Sequence, residues 1–414
     1  MNKVFLLTIF IFLANTAFCQ DSTKTSKKKI SIHTHGFIKS DYWYDSRQVV
    51  YARDGLFTLF PKGVMLDKKG DDINAIPSFN YSAITSRLNF KIDGLKAFGA
   101  STFAFIEADF SGMSNVSINT FRLRHAYLEL DWKKSSLLLG QYWHPMFVTE
   151  VFPTVISLNT GAPFQAFIRS PQIRYTYRLK HLKLIAAALS QRDYSSKGPL
   201  GRSYTYLSNG LIPNLHLQIQ YHKGKHLLGI AIDYKSLRPR LITDSNIITK
   251  SRVNSKAVMA FYKYKTSKVE FKTKVIYGEN MTEDLMLGGY AVTNIDTATD
   301  RRNYTPTRDL FVWTNIIYHK KLKHFSLRPS LFIAYAKNLG TLSNTTNIFY
   351  ATAPNIDKMY RIAPSISVKS GNTMFAFEWE YTSAFYGHID DNATVSNAKP
   401  IANNRFIFTA FYFF

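Results

Sequence analysis

A period-two alternation of apolar and polar residues is the feature that most limits how this chain of 414 residues folds. Between residues 86 and 93, Leu88, Phe90 and Ile92 alternate with charged or amide side chains. A β-strand places such alternating residues on opposite faces. Each alternating segment has about ten residues, the length with which a tilted strand crosses a bilayer. The pattern therefore predicts strands with one apolar and one polar face.

Alternating segments bounded by turns recur along the whole chain, with no change of pattern that would mark a second domain. Residues 47–82 are predicted to be a long, mostly polar loop. The clearest predicted strands cover residues 33–46, 86–93, 101–110, 122–132, 137–143 and 405–414.

Short and long connections between these strands follow one another in strict order after residue 86. The short ones are residues 94–99, 133–136, 180–181, 223–225, 265–268, 320–323 and 369–372. The long ones are residues 111–120, 144–170, 192–212, 237–253, 279–307, 338–358 and 385–403. Outer-membrane barrels have this asymmetry, with short periplasmic turns and longer extracellular loops. We therefore predict an all-β fold, a transmembrane antiparallel barrel of about sixteen strands over residues 32–414.

Composition agrees with a chain that faces two solvents. Aromatic residues make up 15% of the sequence, yet the mean hydropathy is only -0.14. A helical membrane protein is far more hydrophobic. After the first 20 residues no apolar run reaches the 18 residues that a spanning helix needs.

The first residues predict export. Lys3 precedes an apolar run over residues 4–14, and Ala17-Phe18-Cys19 has the small-x-small pattern of a cleavage site. We predict a signal peptide at residues 1–19 and a disordered polar tail at 20–31. Cys19 is the only cysteine and leaves with the signal, so no disulfide is expected. The alternative, a lipoprotein anchored through Cys19, is disfavoured because the bulky Phe18 precedes it.

The basic charge excess raises the question of nucleic acid. The chain has 52 Lys and Arg residues against 28 Asp and Glu residues. Export argues against a nucleic-acid partner, and the basic residues are scattered over strands and turns instead of forming one patch.

The C-terminal segment, residues 405–414, is predicted to close the barrel. An exposed apolar edge strand is an aggregation hazard, and pairing with the first strand removes it. The aromatic ending on Phe414 also resembles the signal that outer-membrane proteins present to their insertion machinery. We therefore expect the bacterial outer membrane as the location. The expected partners are its lipid, lipopolysaccharide and the barrel-insertion machinery.

Apolar residues that face lipid leave their polar neighbours around a wet lumen. Basic residues outnumber acidic ones on this predicted inner face, which favours anions. In the alternative, the excess lies in periplasmic turns and on surfaces that face lipid phosphate. Residues 122–130 break the alternation, so that either a bulge intervenes or Arg122 and Arg124 lie above the lipid. The predicted pore-lining residues are Lys39, Arg87, Lys91, Arg174, Arg178, Lys272, Lys274, Arg328, Arg361, Arg405, Glu378 and Glu380.

The loop over residues 144–170 is too apolar to extend into water. We predict that it folds into the lumen and narrows it, with Phe147, Glu150, Phe164 and Arg169 at the constriction. The alternative is a loop that packs on a neighbouring subunit.

Motifs for enzymatic chemistry are missing from the sequence. It contains no HExxH, no phosphate-binding Gly-Lys loop and no GxSxG elbow. His33 and His35 have a spacing that can bind metal on a strand, but no further ligand joins them, so ordinary strand histidines are favoured. Glu378 and Glu380 are better explained as lumen charges that balance arginines than as a catalytic pair. We expect no enzyme, no cofactor and no metal. A barrel hydrolase and an occluded structural barrel remain the alternatives.

Three segments resemble the DcaP-type porins of Gram-negative bacteria: GFIKSD at residues 36–41, HAYLEL with LLGQYW within 125–143, and RSPQIRY at 169–175. The resemblance implies a sixteen-stranded trimeric channel for small anionic solutes, dicarboxylates among them, with the loop at 144–170 folded inward. The chain lacks the N-terminal periplasmic coiled coil that many members carry. Phosphate-selective porins have similar texture. The expected function is passive diffusion of small hydrophilic anions, dicarboxylate-like or phosphate-like.

Overall fold

The structure, a computed structural model, describes residues 30–414. In this part of the chain sixteen antiparallel strands form one closed barrel. This confirms the predicted fold class. The predicted signal peptide and residues 20–29 of the predicted tail lie outside the described residues. The strands are β1 (Ser31–Asp45), β2 (Ser78–Ser82 and Arg87–Ala97), β3 (Ala100–Asp109), β4 (Arg122–Asp131), β5 (Ser135–Trp143), β6 (Arg169–Arg178), β7 (Leu182–Leu189), β8 (Asn214–Lys223), β9 (His226–Leu237), β10 (Val253–Lys265), β11 (Val269–Glu279), β12 (Arg308–Tyr318, continued by Lys320–Lys321), β13 (Ser326–Asn338), β14 (Ile356–Ser370), β15 (Thr373–Ile389) and β16 (Val395–Phe413).

The barrel closes between its first and last strands, as predicted. Strand β16 pairs antiparallel with β1, and Phe413 lies opposite Phe37. The C-terminal residue extends this pairing, because the N–H of Gly36 donates to the Phe414 carbonyl at 2.9 Å. Among the described residues, the closure leaves the barrel sheet without a free edge that could pair with another chain.

The outer face is apolar, as the alternation requires. Ile173, Leu217 and Ile230 are 58%, 55% and 60% exposed on this isolated chain, whereas Gln172 and His216, which point inward, are buried. A barrel in lipid needs this arrangement, since apolar side chains outside meet acyl chains. No helix among the described residues is long and apolar enough to span a membrane.

Tight turns lie at one end of the barrel and longer loops at the other, here called the short-turn end and the long-loop end. The prediction of a long loop over residues 385–403 is wrong. Strand β15 extends to Ile389 and β16 begins at Val395, so five residues connect them. Beyond the lipid both faces of a wall are wet, and the apolar alternation that identifies a strand disappears there.

Smaller elements lie in the loops of the long-loop end. A three-stranded sheet joins Gly288–Ile295 to Arg302–Pro306 and Phe349–Thr352. A two-stranded hairpin, Lys197–Gly198 with Gly201–Arg202, precedes a short helix, Thr205–Ser208. Tyr206 and Tyr290 are buried where these elements meet. Single turns of 3-10 helix occur at Ile73–Ala75, Asn115–Ser117, Pro145–Phe147 and Thr282–Asp284.

A β-bulge in β4 explains why the alternation breaks near residue 124. Glu107 lies opposite His125, but the next residue, Ala108, lies opposite Leu123, so Arg124 is the extra residue. Arg124 and Arg122 are both buried inside, while Leu123 is 48% exposed on the outer face. Of the two explanations left open by the sequence, the bulge is the one found.

Two segments fold into the lumen. The first, here called the inward hairpin, pairs Val49–Ala52 with Phe57–Pro61. The second, the inward loop, comprises residues 144–168 between β5 and β6. Their apolar side chains form one buried cluster with the inner faces of strands β9–β15. The prediction of a mostly polar loop over residues 47–82 therefore misses a buried apolar hairpin, together with the first piece of β2.

Barrel closure depends on close backbone approach at Gly36. A Cβ atom there would lie 2.3 Å from the Arg87 carbonyl oxygen and 2.7 Å from the Phe414 ring. We expect Gly36→Ala to lower the free energy of unfolding by about 1–3 kcal/mol, the usual cost of overpacking. Urea unfolding in detergent, followed by the gel mobility of the folded barrel, measures it. Thr34→Ala, a change at an exposed position of the same strand, is the control. Equal stability of the two variants would contradict the need for close backbone approach at Gly36.

Candidate functional site: the constriction inside the barrel

The inward loop begins with a tight turn that its own side chains hold. The His144 ring accepts a hydrogen bond from the Met146 N–H at 3.2 Å, and Pro145–Phe147 form a single turn of 3-10 helix. Phe147 then stacks on Trp143 with 3.9 Å between ring centroids and packs against Phe152. These aromatic contacts direct the loop into the lumen.

Two lysines of β11 bind the first part of the inward loop, residues 146–152. Lys274 donates to the carbonyls of Met146 and Phe147, both at 2.9 Å. Lys272 donates to the Phe152 carbonyl at 3.1 Å. Both lysines point inward, and both are buried beneath the loop. A buried ammonium is stable only with such acceptors, so the lysines fix the path of the loop.

Glu378 and Glu380 of β15 bind the middle of the inward loop, residues 156–159. Glu378 accepts hydrogen bonds from the N–H groups of Ile156 at 2.7 Å and Ser157 at 3.1 Å. Glu380 accepts one from the Asn159 amide at 2.9 Å. Hydrogen bonds to a carboxylate are roughly twice as strong as neutral ones. The pair therefore anchors the loop to the wall.

Two arginines connect both inward segments to the wall. Arg361 donates to the carbonyl of Ala162 in the inward loop at 2.8 Å and to that of Leu59 in the inward hairpin at 2.7 Å. Its guanidinium also lies 5.4 Å from the Phe164 ring centroid. Arg405 donates to the Gly55 carbonyl at 2.8 Å. Both arginines are completely buried among these contacts.

The other predicted pore-lining cations point inward and have partners of their own. Whether they line a conducting pore stays a prediction. Glu150, at the surface of the inward loop, pairs with Lys183. The remaining contacts are Lys39 with Asp41 (3.0 Å), Lys91 with Asp93 (3.3 Å), Arg174 with Gln172 (2.8 Å), Arg178 with Asp131 (3.2 Å) and Arg328 with Ser367 (3.3 Å).

A second group of buried charges lies on the wall of strands β2–β6, opposite the apolar cluster. Arg122 forms two hydrogen bonds to Asp109, at 2.9 and 3.1 Å. Arg124 bridges Asp109 and Glu107, both at 2.7 Å. The group, here called the arginine cluster, comprises Arg53, Arg87, Arg122, Arg124 and Arg169 with the carboxylates Glu107, Asp109 and Asp193.

Asp193 reaches the arginine cluster from the loop after β7. Its carboxylate lies 2.6 Å from Arg169 and 3.2 Å from Arg122. Burial alone would raise the pKa of Asp193, but these guanidinium groups hold the pKa below its ordinary value. Asp193 is therefore ionised at neutral pH. Five arginines against three carboxylates leave the arginine cluster with two uncompensated positive charges.

Several donors of the arginine cluster have no acceptor. Within residues 30–414, Nε and Nη2 of Arg53, Nε of Arg87, and Nε and Nη1 of Arg169 are buried without a hydrogen-bond partner. Nδ1 of the adjacent His125 is in the same condition. A buried unpaired donor costs about 1–3 kcal/mol. An anion with several acceptor oxygens would satisfy these groups.

Two cavities border the inward loop toward the short-turn end. One of about 190 Å³ is lined by Tyr127, Tyr142, Trp143 and Arg174 among others. A larger one, of about 490 Å³, shares Glu150 and other residues with it. Neither is lined by Arg53, Arg122, Arg124 or Arg169. The arginine cluster therefore lies outside these two open spaces, among packed side chains of the lumen.

Sequence reasoning missed most of the arginine cluster. Arg87 and Arg169 were predicted at the pore, but Arg53 and Asp193 belong to loops where no alternation indicates direction. The bulge at Arg124 hid the inward direction of Arg122. A charged pair in a strand whose outer face is otherwise apolar is the signal that could have identified these two arginines.

Removing the Glu378 carboxylate tests whether it anchors the inward loop to the barrel wall. We expect Glu378→Ala to speed amide hydrogen exchange in the peptide containing Ile156 and Ser157. Losing hydrogen bonds to a charged group costs about 1.5–3 kcal/mol, which corresponds to about tenfold or more in exchange. Exchange mass spectrometry of the purified barrel measures it. Glu129→Ala removes a lumen carboxylate that is 3.8 Å from Arg178 and is the matched control. Unchanged exchange in Glu378→Ala would show that the loop is held elsewhere.

Comparisons with known proteins give likenesses of structure. No family model matches the chain, and no curated protein matches it. The outer membrane channel DcaP of Acinetobacter baumannii is similar with a TM-score of 0.67 and 17% identity, over 94% of this chain and 99% of that one.

Two further solved structures are similar over nearly their whole length. The outer-membrane protein OmpT of Vibrio cholerae has a TM-score of 0.55 and 9% identity, over 94% of this chain and 99% of that one. An anion-selective porin from Comamonas acidovorans has a TM-score of 0.53 and 9% identity, over 93% of this chain and all of that one (100%). The predicted resemblance to DcaP-type porins is thereby confirmed at the level of the fold, which is that of bacterial outer-membrane barrels and agrees with the predicted location.

Proposed function

We propose that the chain is an outer-membrane porin for passive diffusion of small hydrophilic anions, such as dicarboxylates or phosphate-like solutes. The observation that carries the proposal is the arginine cluster, which is buried on the wall of the lumen. Its two uncompensated charges attract anions, and its unpaired donors offer hydrogen bonds to their oxygens. A planar carboxylate or a phosphate matches the fork of a guanidinium.

The wall of the route supports the same solute class. Arg169 lies over Trp143 at 4.5 Å, and Arg174 over Tyr142 at 5.2 Å. Such stacking holds guanidinium groups in place while their edges stay available to a solute. The similarity to an anion-selective porin adds support from the fold.

The same proposal covers cellular context. Residues 1–19 direct export, strand β16 is presented to the insertion machinery, and the apolar outer face contacts membrane lipid, with lipopolysaccharide around the long-loop end. The functional unit is a homotrimer, as one solved form of Vibrio cholerae OmpT is. The proposal includes no catalysed reaction, and the candidate carboxylate pair, Glu378 and Glu380, acts as an anchor of the inward loop.

An occluded structural barrel is the second candidate, and one observation favours it. The inward hairpin, the inward loop and strands β9–β15 share a continuous buried apolar cluster. This cluster fills one side of the lumen, and the arginine cluster lies on the other side. Any route left for a solute therefore runs along the arginine cluster.

Conductance measurements separate these functions. In planar bilayers with a KCl gradient, we expect ohmic channels whose reversal potential shows chloride preference. Arg53→Gln with Arg87→Gln balances the arginine cluster, with three arginines against three carboxylates. Since a unit charge at 4 Å contributes about 1 kcal/mol even in water, the chloride preference should fall about fivefold or more.

The matched control is Arg240→Gln with Arg302→Gln, which removes the same charge from the long-loop end, where both arginines pair with Asp300. We expect nearly unchanged selectivity in this variant. Preference for potassium in the unmodified protein would contradict anion selectivity. Absence of any conductance would favour the occluded barrel.

A further inference from the structure

We propose that His144, His216 and Asp233 form a binding site for a divalent transition metal, with Zn²⁺ as the fitting ion. One ligand atom from each of the three side chains can be chosen so that all lie within 4.8 Å of one another. The site lies where the inward loop leaves β5, against β8 and β9. It is separate from the arginine cluster, and nothing in the proposed conduction requires it.

The distances suit tetrahedral coordination. Asp233 Oδ2 lies 3.0 Å from His216 Nδ1 and 3.7 Å from His144 Nε2. Ligands bound at about 2.0–2.2 Å around tetrahedral zinc are about 3.3–3.6 Å apart. The observed separations bracket this range. Small side-chain movements would therefore bring the three atoms around one ion, and a water molecule or the Asn214 oxygen can take the fourth position.

The surroundings of the His216 ring suit a metal ligand. Its Nε2 lies 3.1 Å from the Gln218 amide oxygen, and its Nδ1 lies 3.0 Å from Asp233. A neutral imidazole has one N–H to donate. When Nε2 donates it to Gln218, the lone pair of Nδ1 is free to bind an ion that the Asp233 carboxylate also binds. Metal-bound histidines typically donate their other N–H to such an oxygen, the place that Gln218 takes.

His144 contributes the ligand that connects the inward loop to the site. Its Nε2 points at the Asn214 oxygen, 2.9 Å away, and its Nδ1 accepts the Met146 N–H at 3.2 Å. Metal binding at Nε2 would place a proton on Nδ1 and replace this long hydrogen bond. The ion would then fasten the first residue of the inward loop to strands β8 and β9.

Burial and access are both suitable for a metal. His144 and His216 are buried, and water exclusion strengthens the attraction between a cation and the Asp233 carboxylate. The cavity of about 190 Å³ is lined by His144 and by Gln218, so an ion can reach the site from the lumen. The ligands come from the residue after β5 and from within β8 and β9, 72 and 17 residues apart in the sequence, which is why no spacing motif shows the site.

Zinc titration of the purified full-length barrel, stripped with chelator, tests the proposal. We expect one tightly bound zinc per chain by elemental analysis after free metal is removed. The melting temperature should rise with zinc concentration, because a ligand of the folded state alone stabilises it. His216→Ala and Asp233→Asn should lose more affinity than Gln218→Ala, which removes an outer partner and should cost about 10–100-fold.

His226→Ala is the matched control, since this exposed histidine of β9 bonds Tyr262 instead and should leave zinc binding unchanged. If His216→Ala does not fold, the nearly isosteric Asp233→Asn keeps the test valid. Co²⁺ bound to the unmodified protein should also show the visible absorption of a tetrahedral site. Less than one zinc per chain at saturation, or equal affinity in Asp233→Asn and the unmodified protein, would overturn the proposal.

Discussion

Closure of the sheet is the constraint on which the rest of the structure depends. In lipid an unpaired backbone N–H or carbonyl has no water to bond, so a β-structure spans the bilayer only if its first and last strands pair. The β1–β16 seam provides that pairing, and the approach of Gly36 to Phe414 extends it to the last residue. Once the ring is closed, the period of two directs alternate residues toward the lumen and toward the lipid.

The lumen that results is lined by many polar and charged side chains. The inward segments fill it, and charged wall residues bond their backbones: Lys274 and Arg361 to carbonyls, Glu378 to N–H groups. The backbone of the inward loop has no strand partner, so the side chains replace the sheet as the source of hydrogen bonds. Buried charges that would be costly alone are thereby stabilised.

The two sides of the lumen differ in the side chains that line them. Strands β9–β15 contribute apolar residues that pack against the inward loop and hold it in place. Strands β2–β6 contribute the arginine cluster, whose hydrogen-bonding capacity is only partly used. A rigid packed side next to an unsatisfied polar side is a suitable geometry for a selective constriction, because the solute contacts groups that cannot turn away from it. Between the two, at His144, the loop is attached to the wall.

The sequence by itself determined the fold class, the strand number, closure at Phe414 and the inward direction of residues such as Lys272 and Glu378, because alternation in lipid is a local and strict requirement. It did not determine the bulge at Arg124, the inward hairpin at Phe57 or the strand pairing near Asn397. These depend on contacts between distant segments or on walls that are wet on both faces. Only the tertiary structure decided which inward charges bond the loops and which remain in the arginine cluster. That choice is made by packing across the lumen, where the partners are far apart in the chain.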